Sequence, residues 1–220
     1  MAKVLIITGD GAEALEVMYP YQRLLEEGFE VDIAAPSAKK IQTVVHDVEE
    51  GWDTYSEKLG YKVEANLAFS DVKPEDYVAL VVPGGRAPEY IRNDSDVQKI
   101  VRHFFKEDLP VAHLCHAPLV LAAAGVLEGR ETAAFPFLKP DVEQAGATFV
   151  DGGDVVDGNM VSARAWFDHP TWMREFMRVL KTSLGELPSD GRNDGQESSV
   201  IRKLESRLAQ LERKMTKMKA

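Results

Sequence analysis

The sequence is that of a mid-sized acidic protein with one cysteine. Its 220 residues carry a formal net charge of −10 and 45% of them are hydrophobic, so one full-sized domain with a sizeable core is expected. A single cysteine excludes an intrachain disulfide, and no Cys/His pairs recur at zinc-site spacing, so we expect a reducing compartment and no metal. No segment has the apolar length of a membrane span, and the first apolar run is too short for a signal peptide. These features predict a cytoplasmic protein without a membrane partner.

The charge is distributed unevenly along the chain. Lysine and arginine concentrate after Val200, which leaves the first 199 residues strongly acidic. Because an acidic surface repels the phosphates of nucleic acid, we expect no nucleic-acid partner for the main body of the chain.

Strand and helix patterns alternate over residues 1–184. Continuous apolar runs at 3–8, 77–82 and 110–114 predict strands buried on both faces, as parallel sheets require. Amphipathic helical patterns lie between these runs. The alternation predicts an α/β sandwich with a mainly parallel sheet, interrupted over residues 36–70 by short antiparallel strands.

The end of the chain has a different character. Residues 185–199 are almost free of apolar side chains and predict a flexible linker. Over residues 200–220, apolar side chains recur at alternating spacings of three and four, which predicts a coiled-coil oligomerisation helix. A coiled coil of three helices is favoured. A helix packed on its own domain is the alternative. The heptad residues are Ile201, Leu204, Leu208, Leu211, Met215 and Met218.

The cysteine follows an apolar strand and precedes a helix. In that place Cys115 would lie beside the unpaired N–H groups at the helix start, which favour a thiolate. A buried structural cysteine is the alternative. His116 is either a reactive imidazole or one satisfied at the helix start, whereas His113, within the strand, is expected to be a packing residue.

Three chemical groups are expected at one edge of the sheet, because the loops after parallel strands meet outside their carboxyl ends. Glu13 follows the first strand, Gly84 and Gly85 follow a later buried strand, and Cys115 follows the next one. A carboxyl group, backbone N–H groups and a thiol are what nucleophilic catalysis through an oxyanion requires. Taken singly, Glu13 is better explained by helix-dipole stabilisation and the glycines by a turn, so the hypothesis rests on the combination.

Four stretches of residues 1–184 share a known pattern. They are Glu13 with Glu16-Val-Met-Tyr-Pro20, Val82-Pro-Gly-Gly-Arg-Ala-Pro-Glu-Tyr90, Leu114-Cys-His-Ala-Pro118 and Val156-Asp-Gly-Asn-Met-Val-Ser162. Together they resemble the ThiJ/PfpI superfamily, which implies a flavodoxin-like three-layer sandwich. In addition, His46-Asp47 and Thr54-Tyr55 resemble a plant glyoxalase III-like branch of that group.

The resemblance implies a role for the residues at the predicted sheet edge. Cys115 would be the nucleophile, Glu13 its hydrogen-bonded acid or base, and His116 the adjacent imidazole. Gly85, beside Gly84, would hold the oxyanion together with the backbone of Cys115.

The resemblance also implies an assembly. Glu89 matches a glutamate that reaches the histidine of a neighbouring subunit, so a homo-oligomer, a trimer or a hexamer, is expected. Two stretches depart from the family pattern: Ala117 stands where glycine is common, and residues 163–169 replace a Ser-Arg-His-Pro run. No catalytic role is therefore carried over to His169.

The leading functional hypothesis is a glyoxalase III- or deglycase-type enzyme that needs no cofactor and acts on a small 2-oxoaldehyde such as methylglyoxal. One alternative is a PfpI-like cysteine peptidase that uses Cys115, His116 and Glu89. The other is a non-enzymatic redox or stress-response protein in which Cys115 is oxidised.

Overall fold

A computed structural model describes residues 2–187. The strands are β1 (Lys3–Ile7), β2 (Glu30–Ala35), β3 (Lys39–Asp47), β4 (Ser56–Ala65), β5 (Leu67–Ala68), β6 (Ala79–Val82), β7 (Val111–Leu114), β8 (Glu131–Thr132), β9 (Thr148–Phe149), β10 (Val155–Asp157) and β11 (Met160–Ala163). The helices are α1 (Ala14–Glu26), α2 (Ala87–Ile91), α3 (Ser95–Lys106), α4 (Pro118–Ala124), α5 (Lys139–Gln144) and α6 (His169–Ser183).

Seven strands form the central sheet, in the order β10-β11-β7-β6-β1-β2-β5. All neighbours pair in parallel except β10 and β11, which form an antiparallel hairpin. The four residues of β6 and the four of β7 are all buried, as the continuous apolar runs predict. The predicted α/β class with a mainly parallel sheet is confirmed.

Helices cover both faces of the sheet and make three layers. Val4 and Ile6 of β1 face the core formed with α1 and α6, which includes Trp172. Leu5 and Ile7 face the opposite core, formed with α3 and α4. Successive side chains of a strand point to opposite faces, so one apolar strand supplies both cores.

The predicted departure from the sheet over residues 36–70 is a long antiparallel hairpin, β3–β4, outside the main sheet. Two backbone hydrogen bonds attach β3 to the loop after β1. The N–H of Gly11 donates to the carbonyl of Gln42, and the N–H of Val44 donates to the carbonyl of Ala12, each at 2.8 Å. The hairpin is thereby held beside the carboxyl ends of the parallel strands.

The predicted linker over 185–199 is described only as far as residue 187. The coiled-coil helix predicted over 200–220 lies outside the described residues. Within residues 2–187, none of the helices is long and apolar enough to cross a bilayer.

The start of α3 allows a test of how much one helix cap contributes to the free energy of unfolding. Asp94 caps this helix, since its carboxylate accepts the N–H groups of Asp96 at 2.8 Å and Val97 at 3.4 Å. Asp94→Ala should lower the free energy of unfolding by about 1 kcal/mol, measured by urea denaturation. Asp94→Asn keeps an accepting oxygen and is the matched control. Equal stabilities of the two variants would contradict the capping role.

Candidate active site

Cys115 lies on a tight turn between β7 and α4. Its backbone φ is +57°, in the left-handed region that side chains other than glycine rarely adopt. Its N–H donates to the carbonyl of Ala163 at 3.3 Å, and its carbonyl accepts the N–H of Phe135 at 3.0 Å. A strained conformation held from two sides is typical of functional sites. The predicted strand-to-helix turn at Cys115 is confirmed.

A buried carboxyl group from α1 faces this turn. Glu16 is fully buried and accepts the backbone N–H of Gly84 at 2.8 Å. The sulfur of Cys115 lies beside this carboxyl, since both border the small space next to the Gly84 backbone. A Cβ added to Gly84 would lie 2.5 Å from Cβ of Cys115 and 2.6 Å from the Glu16 carboxyl, so only glycine fits between the two acidic groups.

The structure corrects one assignment: the carboxyl that lies beside the thiol is that of Glu16, not that of Glu13. Glu13 has extended backbone just before α1, and its side chain turns back to accept the N–H of Glu16 at 2.8 Å. The backbone of Glu13 also forms a bridge with Val44 of β3. Glu13 therefore caps the helix and links it to the hairpin, whereas Glu16, inside the first turn, reaches the thiol.

The sequence did contain a signal for Glu16. The buried residues Val17, Pro20 and Leu24 form the inward stripe of α1, and Glu16 falls on that stripe. A charged residue on an apolar helix face is unusual and points to a buried partner.

Burial and mutual repulsion govern the protons at this site. Burial raises the pKa of Glu16 to about 8, and the negative charge of Glu13 acts in the same direction. Burial also raises the pKa of the Cys115 thiol, and the Glu16 carboxylate raises it further. The Glu16 carboxyl and the Cys115 thiol together therefore hold two protons well below pH 8 and one proton above it.

This result also corrects the expectation of a thiolate favoured by the helix start. The backbone N–H groups of Gly85 and His116 do lower the pKa of the thiol. Their effect is smaller than the opposing effect of burial, because the thiol is almost completely inaccessible to water.

Of the N–H groups that the resemblance implies as oxyanion donors, that of Cys115 is already bound to the carbonyl of Ala163. The Gly84 N–H is likewise bound to Glu16. The backbone N–H groups that lower the pKa of the thiol are those of Gly85 and His116. Gly85 has φ +73° and pairs with Ala12, in a place where a Cβ would collide with the backbone.

Glu89 lies beside His116 within a single chain. The Nδ1 atom of His116 is 3.7 Å from a carboxylate oxygen of Glu89, which is longer than a hydrogen bond. Burial lowers the pKa of His116 to about 4, so its ring is neutral at pH 7. Glu89 is half exposed and lies at the rim of the site.

His113 is a packing residue, as expected. Its ring is fully buried in β7, and its Nε2 atom lies 3.1 Å from the hydroxyl of Thr132. Burial lowers its pKa to about 3, so the ring stays neutral. His169 packs between the rings of Tyr19 and Trp172. No group of three His, Cys, Asp or Glu side chains in residues 2–187 has the geometry of a metal site.

Glu13→Gln tests the electrostatic coupling. Gln keeps an oxygen that caps α1 but removes the charge that raises the pKa of Glu16, so the pair should lose its first proton at lower pH. The pH profile of Cys115 alkylation by iodoacetamide should shift to lower pH. Glu26→Gln, on the exposed side of the same helix, is the matched control. An unchanged profile in Glu13→Gln, or an equal shift in both variants, would rule out this coupling.

The strained, buried Cys115 between a parallel strand and a helix, with the buried Glu16 carboxyl beside it, makes this turn the candidate active site of an α/β protein. The chain belongs to the DJ-1/PfpI family, whose model matches residues 2–179. This confirms the resemblance found in the sequence motifs.

Named relatives and a solved structure agree with this family. Deglycase PH1704 of Pyrococcus horikoshii is 45% identical over 179 residues, which cover 81% of this chain and 99% of that protein. Deglycase PfpI of Pyrococcus furiosus is 41% identical with the same coverage of both chains. The crystal structure of a ThiJ/PfpI domain protein from Brachyspira murdochii has the same fold, with a TM-score of 0.71 at 19% identity, over 82% of this chain and 96% of that one.

Proposed function

We propose that this protein is an enzyme of the glyoxalase III or deglycase type that acts on 2-oxoaldehydes such as methylglyoxal, with Cys115 as its nucleophile. The observation that carries the proposal is the buried thiol of Cys115 beside the buried carboxyl of Glu16. The N–H groups of Gly85 and His116 add to it, since they lower the pKa of that thiol. The two relatives named deglycases support the same chemistry.

The first step is addition of the thiol to the aldehyde. Glu16 in its carboxylate form takes the thiol proton while the sulfur bonds to the aldehyde carbon. The carbonyl π bond breaks, and its oxygen receives the proton from Glu16, which gives a hemithioacetal and restores the Glu16 carboxylate. While negative charge builds on this oxygen, the N–H groups of Gly85 and His116 stabilise it.

The second step is an internal redox isomerisation. Glu16 removes the proton from the carbon bonded to sulfur, which forms an enediol, and a proton is then returned to the neighbouring carbon. The former aldehyde carbon is oxidised to a thioester while the former ketone carbon is reduced to an alcohol. Water cleaves the thioester, which releases the 2-hydroxy acid and restores the thiol. Methylglyoxal plus water thus gives lactate without an external oxidant or cofactor.

The buried site suits this sequence of steps. A carboxyl whose pKa is raised to about 8 is a stronger base than an ordinary glutamate once it has lost its proton. Activity should therefore rise as the pH increases through about 8, where the pair changes from two protons to one.

The contacts favour this mechanism over a peptidase. A Cys–His peptidase needs the imidazole to take the thiol proton. Here the thiol lies beside Glu16, whereas the ring of His116 packs against Tyr55 and Phe135 and lies near Glu89.

A homo-oligomer, a trimer or a hexamer, remains our proposed assembly. Glu89 at the rim of the site is half exposed, which suits a residue close to a neighbouring subunit. The proposal otherwise depends on the heptad pattern of residues 200–220.

Lactate formation from methylglyoxal in the absence of glutathione tests the function. We expect turnover in the wild type at pH 8.5 and loss of at least about a thousandfold in Cys115→Ser and Glu16→Gln, because these remove the nucleophile and the base. Glu13→Gln should keep measurable turnover, since that residue does not contact the thiol. A glycated amine and an unstructured peptide, assayed in parallel, separate glyoxalase, deglycase and peptidase activities. Undiminished lactate formation in Cys115→Ser would refute the proposal.

A further inference from the structure

The connection between β3 and β4 brings an aromatic side chain to the Cys115 site. Tyr55 stands at the end of this connection, immediately before β4 begins at Ser56. Its ring packs against three others, with centroid distances of 4.5 Å to His46, 5.3 Å to Phe135 and 6.0 Å to His116. Because His116 follows Cys115, the ring of Tyr55 lies beside the reactive turn.

The neighbours of Tyr55 are fixed in place. The N–H of Phe135 donates to the carbonyl of Cys115 at 3.0 Å. On the other side, Nε2 of His46 lies 3.2 Å from the carboxylate of Glu57, which also accepts two hydrogen bonds from the guanidinium of Arg86 at 2.6 and 2.8 Å. These contacts join the hairpin to the loop after β6, so the rings that pack against Tyr55 belong to segments that are fixed at the site.

The hydroxyl of Tyr55 makes no hydrogen bond within residues 2–187. By contrast, Tyr77 donates to the carboxylate of Asp32 at 2.8 Å, and Tyr90 donates to the carbonyl of Asp10 at 3.1 Å. The ring of Tyr55 packs against His116 and Phe135 at the site, so its hydroxyl is free to donate to a molecule that binds there.

The groups around this hydroxyl determine its pKa and therefore its protonation state. Burial raises the pKa of Tyr55 to about 12, and the negative charges of Cys115, Glu89 and Glu57 act in the same direction. The phenol therefore lies within electrostatic reach of the nucleophile and keeps its proton at every pH at which the enzyme would work. It is available as a hydrogen-bond donor.

We propose that Tyr55 is a substrate-binding residue whose hydroxyl donates a hydrogen bond to the ketone oxygen of a 2-oxoaldehyde bonded to Cys115. A 2-oxoaldehyde has two oxygens, and in the mechanism proposed above the N–H groups of Gly85 and His116 stabilise the one on the carbon that the sulfur attacks. The ketone oxygen then needs a second donor, because it gains electron density when the enediol forms. This assignment rests on the function proposed above.

Tyr55→Phe tests the hydroxyl without removing the ring. We expect kcat/KM for methylglyoxal to fall about tenfold or more, because the variant loses one hydrogen bond to an oxygen that gains charge. The decrease should lie mainly in kcat, since this hydrogen bond strengthens in the transition state. The rate and pH profile of Cys115 alkylation by iodoacetamide should match those of the wild type, since the thiol and its carboxyl partner are untouched. Tyr61→Phe is the matched control, because this tyrosine lies on the same hairpin with 74% of its surface exposed.

The outcomes separate this proposal from the general function. If the wild type turns over methylglyoxal and the kcat/KM of Tyr55→Phe is within twofold of the wild-type value, the role of Tyr55 is overturned and the function stands. Loss of turnover together with an equal loss of alkylation rate would show a structural role instead and would also overturn the proposal. A wild type that is alkylated at Cys115 but forms no lactate would refute the function, and the assignment of Tyr55 with it.

Discussion

The buried contact between Glu16 and Cys115 is the constraint on which the rest of the site depends. Two acidic groups that touch away from water cannot both be ionised, because repulsion and lost hydration oppose the second charge. The shared proton makes the contact stable and makes one group a proton acceptor for the other. Gly84 has no side chain because one would occupy the space where the two groups meet.

The sheet brings the residues of this contact together, and the hairpin helps to exclude water from it. Parallel strands end at one edge, so the loops after β1, β6 and β7 meet there and bring Glu16, Gly84 and Cys115 together from distant parts of the sequence. The β3–β4 hairpin and the segment around Phe135 place aromatic rings next to the same edge. Exclusion of water strengthens the hydrogen bonds within the site and raises the pKa values that the chemistry uses.

Much of this arrangement could be predicted from the sequence, because it follows from local patterns. Continuous apolar runs predicted the buried strands, and the position of Cys115 predicted its turn. The choice between Glu13 and Glu16 required the start of α1: both glutamates lie near it, and only the conformation of Glu13 shows that its side chain turns back as a cap. Tyr55 stands in a connection without periodicity, so its approach to Cys115 depends on tertiary contacts that no sequence pattern records.

The protonation of Glu16 is the central claim, and an atomic-resolution crystal structure at pH 6 measures it most directly. The two carbon–oxygen bonds of the Glu16 carboxyl should differ in length, as in a protonated acid, and the carboxyl should lie within hydrogen-bond distance of both the Cys115 sulfur and the Gly84 nitrogen. Equal carbon–oxygen bonds at that pH, or a thiol hydrogen-bonded to Glu13 instead, would contradict the account.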